Sequence, residues 1–146
     1  MAHVLIASDA PWVLDEIRSA LPGTTDVRSL VSGRAVAAAV QERTPDLVVL
    51  DFQIGNMGGM ATCLELRNEE SGGRLPHVRV LMLLDRQADI YLARQSRAEG
   101  FMVKPLDPIR VRKAINAVLA GDGYVDREQT GDAALNYRAT PDSAAR

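Results

Sequence analysis

Short apolar runs alternate along this chain with longer stretches in which apolar residues recur every three or four positions. The runs are residues 4–7 (VLIA), a weaker one within 26–31, 47–50 (LVVL), 78–84 (VRVLMLL) and 101–103 (FMV). They are mostly continuous rather than alternating, which fits strands covered on both faces of a parallel sheet. Helical patterns lie between them. Val13, Leu14, Ile17, Ala20 and Leu21 share one face, and Pro22-Gly23 ends that helix. Residues 34–43 are alanine-rich with strong helix propensity, closed by Pro45. Residues 60–68 predict a third helix, followed by a loose segment over 69–76, and residues 88–97 a fourth. The fifth has Asp107 as N-cap and Pro108 at the first helical position, then Val111, Ile115, Val118 and Leu119 on one face.

Five strand–helix units predict an α/β fold: a five-stranded parallel sheet, doubly wound in the order 2-1-3-4-5, with helices on both faces. The expected domain covers residues 1–121. Residues 122–146 carry scattered charges and small side chains with no periodic apolar face, and are expected to be a flexible tail, too short for a DNA-binding output domain.

The bulk numbers narrow the classes. The 146 residues suit one domain with a core, and 47% hydrophobic with 25% charged residues is ordinary for a globular chain. A formal charge of -2 forces no basic face, which argues against a direct nucleic-acid binder. Cys63 is the only cysteine, so no internal disulfide can form, and its apolar helical setting predicts a buried core residue. The start, MAHVLIASDA, has no basic region of a signal peptide, and no run is long enough to span a membrane, so a cytoplasmic setting is expected. His3 and His77 are the only histidines, far apart in sequence, which leaves no His-based metal site.

In an open α/β sheet, ligands bind at the carboxyl ends of the strands, near the point where strand order reverses. Here that point lies between strands 1 and 3. Asp9 follows strand 1, Asp51 follows strand 3 and Lys104 follows strand 5. Singly, such an Asp is a helix cap or turn residue and such a Lys a solvated end. All three at strand termini of one sheet place two carboxylates and one ammonium on a single rim. Paired carboxylates favour a divalent cation such as Mg²⁺. An ammonium beside them neutralises a transferred phosphoryl group. The set suits phosphoryl transfer to a carboxylate nucleophile.

Three segments carry a resemblance to a known family. PDLVVLDFQIGNMGGM (residues 45–60), VLIASDAP (4–11) and AEGFMVKPLDP (98–108) resemble the phosphoacceptor segment, the acidic first loop and the strand 5 Lys-Pro segment of response-regulator receiver domains of two-component signalling, across roughly residues 3–120. The resemblance implies a flavodoxin-like fold. It implies that Asp51 accepts a phosphoryl group from a sensor histidine kinase, that Asp9 and Asp51 ligate Mg²⁺ with the backbone carbonyl of Gln53, and that Lys104 contacts the phosphoryl oxygens. It also implies a cis bond before Pro105 and an aromatic switch at Phe101, and Gly59 matches the glycine that follows the family's strand 3 loop. Signalling would run through contact with an output protein, and homodimers through the helix 4 to helix 5 face occur in the family, a point the sequence leaves undecided. The chain departs from the family at four places. Ser8 replaces one acid of the first loop, so Mg²⁺ is expected to bind weakly. Leu84 takes the switch position of a Ser or Thr, and no Ser or Thr occurs from His77 to Gln95. Gly55 replaces a common proline. Asp85 adds a negative charge.

The leading expectation is an atypical stand-alone receiver that is not an enzyme. Ser8 and Leu84 keep open a phosphorylation-independent pseudo-receiver, a pure interaction module. A phosphatase of the haloacid-dehalogenase type would need a second acid where Gln53 stands, and a nucleotide- or flavin-binding protein would need glycines that the loop ASDAPW lacks. Trp12 is expected to be a partly buried packing residue close enough to report on the site. Met57, Met60 and Met82 are expected in core or loop, and Arg110, Arg112 and Lys113 on a solvated helix face.

Overall fold

The computed structural model describes residues 1–126; the rest of the expected tail, 127–146, lies outside the described residues. The apolar runs become strands of one parallel sheet. In chain order the elements are β1 (His3–Ala7), α1 (Pro11–Ala20), β2 (Asp26–Leu30), α2 (Val36–Glu42), β3 (Leu47–Asp51), α3 (Gly59–Ser71), β4 (Val80–Leu84), α4 (Asp89–Ala93), β5 (Gly100–Val103), α5 (Pro108–Leu119) and β6 (Tyr124–Val125). Single 3₁₀ turns, Gly33–Ala35 and Arg94–Ser96, precede α2 and extend α4. The sheet order is β2-β1-β3-β4-β5-β6. The flavodoxin-like α/β architecture expected from the sequence is present, with one strand more.

The side-chain period of two explains why continuous apolar runs suit these strands. Leu5, Ala7, Val48, Leu50, Val80, Met82, Leu84, Phe101 and Val103 face one side, where they meet Val36 and Val40 of α2, Cys63 and Leu66 of α3, and Ile90 and Ala93 of α4. Val4, Ile6, Leu47, Val49, Leu81, Leu83 and Met102 face the other, against Val13 and Ile17 of α1 and Val111, Ile115 and Val118 of α5. β2 lies at the edge and is half-buried throughout, which accounts for its weak apolar signal. α5 starts as its sequence predicts: Asp107 caps it, accepting from the backbone N–H of Ile109 and Arg110.

Helix 4 is shorter than its pattern over 88–97. It tightens after Ala93 into the 3₁₀ turn and stops at Arg97, which adopts a left-handed φ of 62°. Arg67, buried on α3, fixes that stop: its Nε and Nη2 donate to the Arg97 carbonyl at 3.2 and 3.1 Å, while Nη2 also meets Glu99 at 2.8 Å.

Three expectations are corrected. The sheet has six strands, and residues 122–126, expected in the tail, belong to the fold. Tyr124 and Val125 pair with Gly100 and Phe101, and the Asp126 N–H donates to the Phe101 carbonyl at 3.1 Å. A two-residue strand leaves no periodicity to read. Its anchor is Asp126, fully buried and ion-paired with Arg110. Arg110 is therefore not on a solvated face: it is 7% exposed, and its guanidinium also donates to the carbonyls of Val103 and Pro105. Arg112 donates through Nε to the Ala20 carbonyl at the end of α1, and only Lys113 of the three remains a plain surface cation.

Removing one partner of a buried ion pair leaves an uncompensated charge and costs about 3–5 kcal/mol. Asp126→Ala is therefore expected to destabilise the protein by about 3 kcal/mol, read as a lower urea midpoint.

Candidate functional site

Parallel strands deliver all their carboxyl ends to one rim, so the residues just after β1, β3, β4 and β5 meet there although they are far apart in sequence. Asp51, the last residue of β3, is 2% exposed. A buried carboxylate needs compensation, and three elements supply it. From β5, Lys104 Nζ lies 2.7 Å from Asp51 Oδ1. From the β1–α1 loop, the buried Ser8 hydroxyl donates to Asp51 Oδ2 at 2.7 Å. From the loop that follows β3, the Gln53 N–H donates to Oδ1 at 3.1 Å. Ser8 is held in turn by the Ala10 N–H, which donates to its Oγ at 3.1 Å.

Asp9 is exposed at the mouth of the rim and reaches the β3–α3 loop, where its Oδ2 accepts from the Gly55 N–H at 3.1 Å. That loop is tightly shaped. Asn56 and Met57 are consecutive non-glycine residues with φ of 55° and 84°, a strained pairing that neighbours must hold. The Thr62 hydroxyl donates to the Met57 carbonyl at 2.8 Å, and the N–H groups of Gly33 and Arg34 donate to the carbonyls of Gly55 and Asn56. Gly59 has no room for a side chain, since a Cβ would sit 2.6 Å from the Asp51 carbonyl oxygen. α3 thus begins flush against the end of β3.

The far side of Asp51 is built from β4 and β5. Lys104 Nζ makes a second contact, 3.0 Å to Asp85 Oδ1. Burial alone would lower the Lys104 amine, but hydrogen bonds to Asp51 and Asp85, with their charges, outweigh it and hold the ammonium above its ordinary range. Its charge also lies 5.7 Å from the centroid of the Trp12 ring, a cation–π distance. Trp12 is 49% exposed, so it borders the site more than it packs the core. The Lys104–Pro105 bond is cis. Leu84 is fully buried and Phe101 is 5% exposed, both in the apolar layer under α4. Cys63 lies in that layer, and burial pushes its thiol up.

The donors at the rim are all oxygen: the carboxylates of Asp9 and Asp51 and the backbone of Gln53. Hard donors of this kind fit Mg²⁺, which is often bound through only one or two carboxylates. Among the described residues no group of three or more His, Cys, Asp or Glu side chains could hold a metal, so a cation at this rim would rest on two carboxylates at most.

Residues 4–116 match the Response regulator receiver domain family. The chain belongs to that family. As a receiver it is 33% identical over 134 residues to the transcriptional activator protein ExaE of Pseudomonas putida, spanning 58% of that protein's length. It is 29% identical over 123 residues to Protein PilH of Pseudomonas aeruginosa, matched over 100% of its length and 83% of this chain. Among solved structures it resembles a two-component response regulator, LuxR family, from Aurantimonas sp., with a TM-score of 0.78 and 25% identity over 94% of this chain and 98% of the other. Receivers generally take a phosphoryl group on an aspartate, typically with Mg²⁺, and work as signalling modules rather than enzymes. Among the described residues, no helix is long and apolar enough to cross a membrane.

Of the residues expected at the rim, Asp51, Gln53 and Lys104 are joined by direct contacts, Asp85 meets the lysine, and Asp9 reaches Gly55 of the β3–α3 loop. Two contacts escaped the sequence reading. The Ser8 hydroxyl occupies one oxygen of Asp51, which its place as a substitute for an acid did not reveal, and Arg110 braces the Lys104–Pro105 segment from beneath.

Because Lys104 and Asp51 compensate each other, their effects on stability should be coupled. Lys104→Met is expected to cost about 1–3 kcal/mol in urea unfolding without Mg²⁺. In an Asp51→Asn background, most of that cost should vanish.

Proposed function

We propose that this receiver accepts a phosphoryl group on Asp51 from the phosphohistidine of a sensor kinase and signals by contact with an output protein. The observation that carries this reading is the isolation of Asp51: a nearly buried carboxylate at a strand end, with the Lys104 ammonium on one oxygen and a rotatable hydroxyl on the other. In the transfer, an Asp51 oxygen attacks phosphorus, the P–N bond breaks, and the departing imidazole nitrogen keeps the electron pair. Lys104 neutralises charge on the phosphoryl oxygens. Ser8 turns its hydroxyl away from the attacking oxygen, while the Gln53 N–H keeps the carboxylate aligned. Mg²⁺, held by Asp9, Asp51 and the Gln53 carbonyl, would supply electrostatic stabilisation of the same oxygens.

The coupling from site to surface is weaker or different from the family pattern. Leu84 offers no hydroxyl for the phosphoryl group to draw inward, and it is locked in the apolar layer with Phe101. A conformational equilibrium moves only by differential interaction with its two states, and one such interaction is missing. The same observation favours a second reading, a pseudo-receiver that binds partners without phosphorylation. The proposed setting is cytoplasmic, and the proposed partners are a kinase and an output protein, with no direct nucleic-acid binding. A homodimer is one form the partner contact could take.

The two readings part on one measurement. Intact mass after incubation with Mg²⁺ and acetyl phosphate is expected to show one phosphoryl adduct on the parent and none on Asp51→Asn. No adduct on either would overturn the phosphoacceptor reading in favour of the pseudo-receiver.

Ser8→Asp tests the metal side. The added carboxylate is expected to raise Mg²⁺ affinity about tenfold in a Trp12 fluorescence titration. It should also lower stability without Mg²⁺, since it replaces a donor to Asp51 by a like charge.

A further inference from the structure

The first loop has lost a carboxylate at Ser8, yet the rim still holds three: Asp9, Asp51 and Asp85. The third sits on the opposite side of Asp51, with the lysine. Lys104 Nζ is shared between Asp51 Oδ1 at 2.7 Å and Asp85 Oδ1 at 3.0 Å. The backbone enforces the sharing, because the Lys104 N–H donates to the carbonyl of Leu84, the residue before Asp85, at 2.8 Å. The two carboxylates differ in freedom. The Asp51 side chain is 2% exposed and the Asp85 side chain 35%, so Asp85 alone can turn out to water. Asp85 also opens the turn into α4. The next residue, Arg86, is tied through its N–H and guanidinium to Asp89, the first residue of α4, at 3.1 and 3.0 Å.

We infer that Asp85 is a positioning residue that competes with the phosphoryl group for Lys104, so that phosphorylation of Asp51 drives the Asp85 carboxylate off the ammonium and releases the turn leading into α4. This rests on the phosphoacceptor reading of Asp51. An acyl phosphate replaces a single negative charge by about -1.5 to -2 and adds strong acceptor oxygens. Those oxygens claim the Lys104 N–H donors, while their charge repels Asp85 across a short gap. Asp51 is fixed by the sheet and cannot yield, whereas Asp85 is at the rim and can. The device pushes where Leu84 leaves nothing to pull, and it acts on the loop that links the site to α4. It also implies that the unphosphorylated protein holds its own lysine in check, because Asp85 occupies one of its N–H donors.

The test compares initial rates of adduct formation with acetyl phosphate and Mg²⁺, by intact mass, for the parent, Asp85→Asn and Asp85→Glu, each with Lys104 and with Lys104→Met. In every case an Asp51 oxygen attacks phosphorus, the P–O bond to acetate breaks and acetate leaves with the electron pair. Asp85→Asn is expected to raise the rate about two- to fivefold, the range of a rim ion pair. Asp85→Glu, which keeps the charge, is expected to stay near the parent. In the Lys104→Met background, Asp85→Asn is expected to change nothing, because the competition runs through the lysine. Adduct on the parent with an unchanged or lower rate in Asp85→Asn, or an equal gain without Lys104, would overturn the inference and leave the phosphoacceptor reading standing. No adduct on any variant would remove that reading, and this inference with it.

Discussion

The burial of the Asp51 carboxylate is the constraint around which the rim is organised. A carboxylate that is 2% exposed is costly unless charge and hydrogen bonds meet it. Lys104 meets it with charge, Ser8 and the Gln53 N–H with hydrogen bonds. Each comes from a different strand or loop, so the sheet must bring β1, β3 and β5 into register before the site exists. The close approach of Gly59 to the Asp51 backbone and the clamped, strained turn at Asn56 and Met57 serve the same end. They fix the loop whose Gln53 N–H aligns the carboxylate.

Charge at this rim has been redistributed rather than simply lost. A receiver site that gives up an acid at Ser8 carries less negative charge on the side that would face Mg²⁺. It carries more beside Lys104, where Asp85 stands. The hydroxyl at Ser8 turns a repulsive neighbour of Asp51 into a donor, which stabilises the resting carboxylate. With Leu84 and Phe101 packed in one apolar layer, any response to phosphorylation must start from charge rather than from a hydroxyl drawn inward.

The sixth strand extends the same logic to the end of the fold. Arg110 reaches from α5 to the carbonyls of Val103 and Pro105, on either side of Lys104, and to the buried Asp126. The segment that carries the lysine is therefore braced from the apolar side by a second compensated charge. The rigidity of Lys104 depends on residues that make no contact with Asp51.

The sequence by itself determined the α/β class, the strand order through β5, the Asp107 cap and the placement of Asp9, Asp51 and Lys104 at the carboxyl ends of β1, β3 and β5. These follow from periodicity, from local turn chemistry and from the rule that parallel strands share one carboxyl rim, all of which are written in residue order. It also exposed the absent hydroxyl at Leu84, since a missing residue type is visible without coordinates. Tertiary structure alone decided that Ser8 donates to Asp51, that Lys104 is shared with Asp85, that Arg110 is buried and that residues 122–126 form part of the sheet. Those outcomes depend on distances between segments far apart in the chain and on which polar groups burial forces to pair. An arginine on a helix looks the same in sequence whether water or a buried aspartate faces it, and only packing chooses between them.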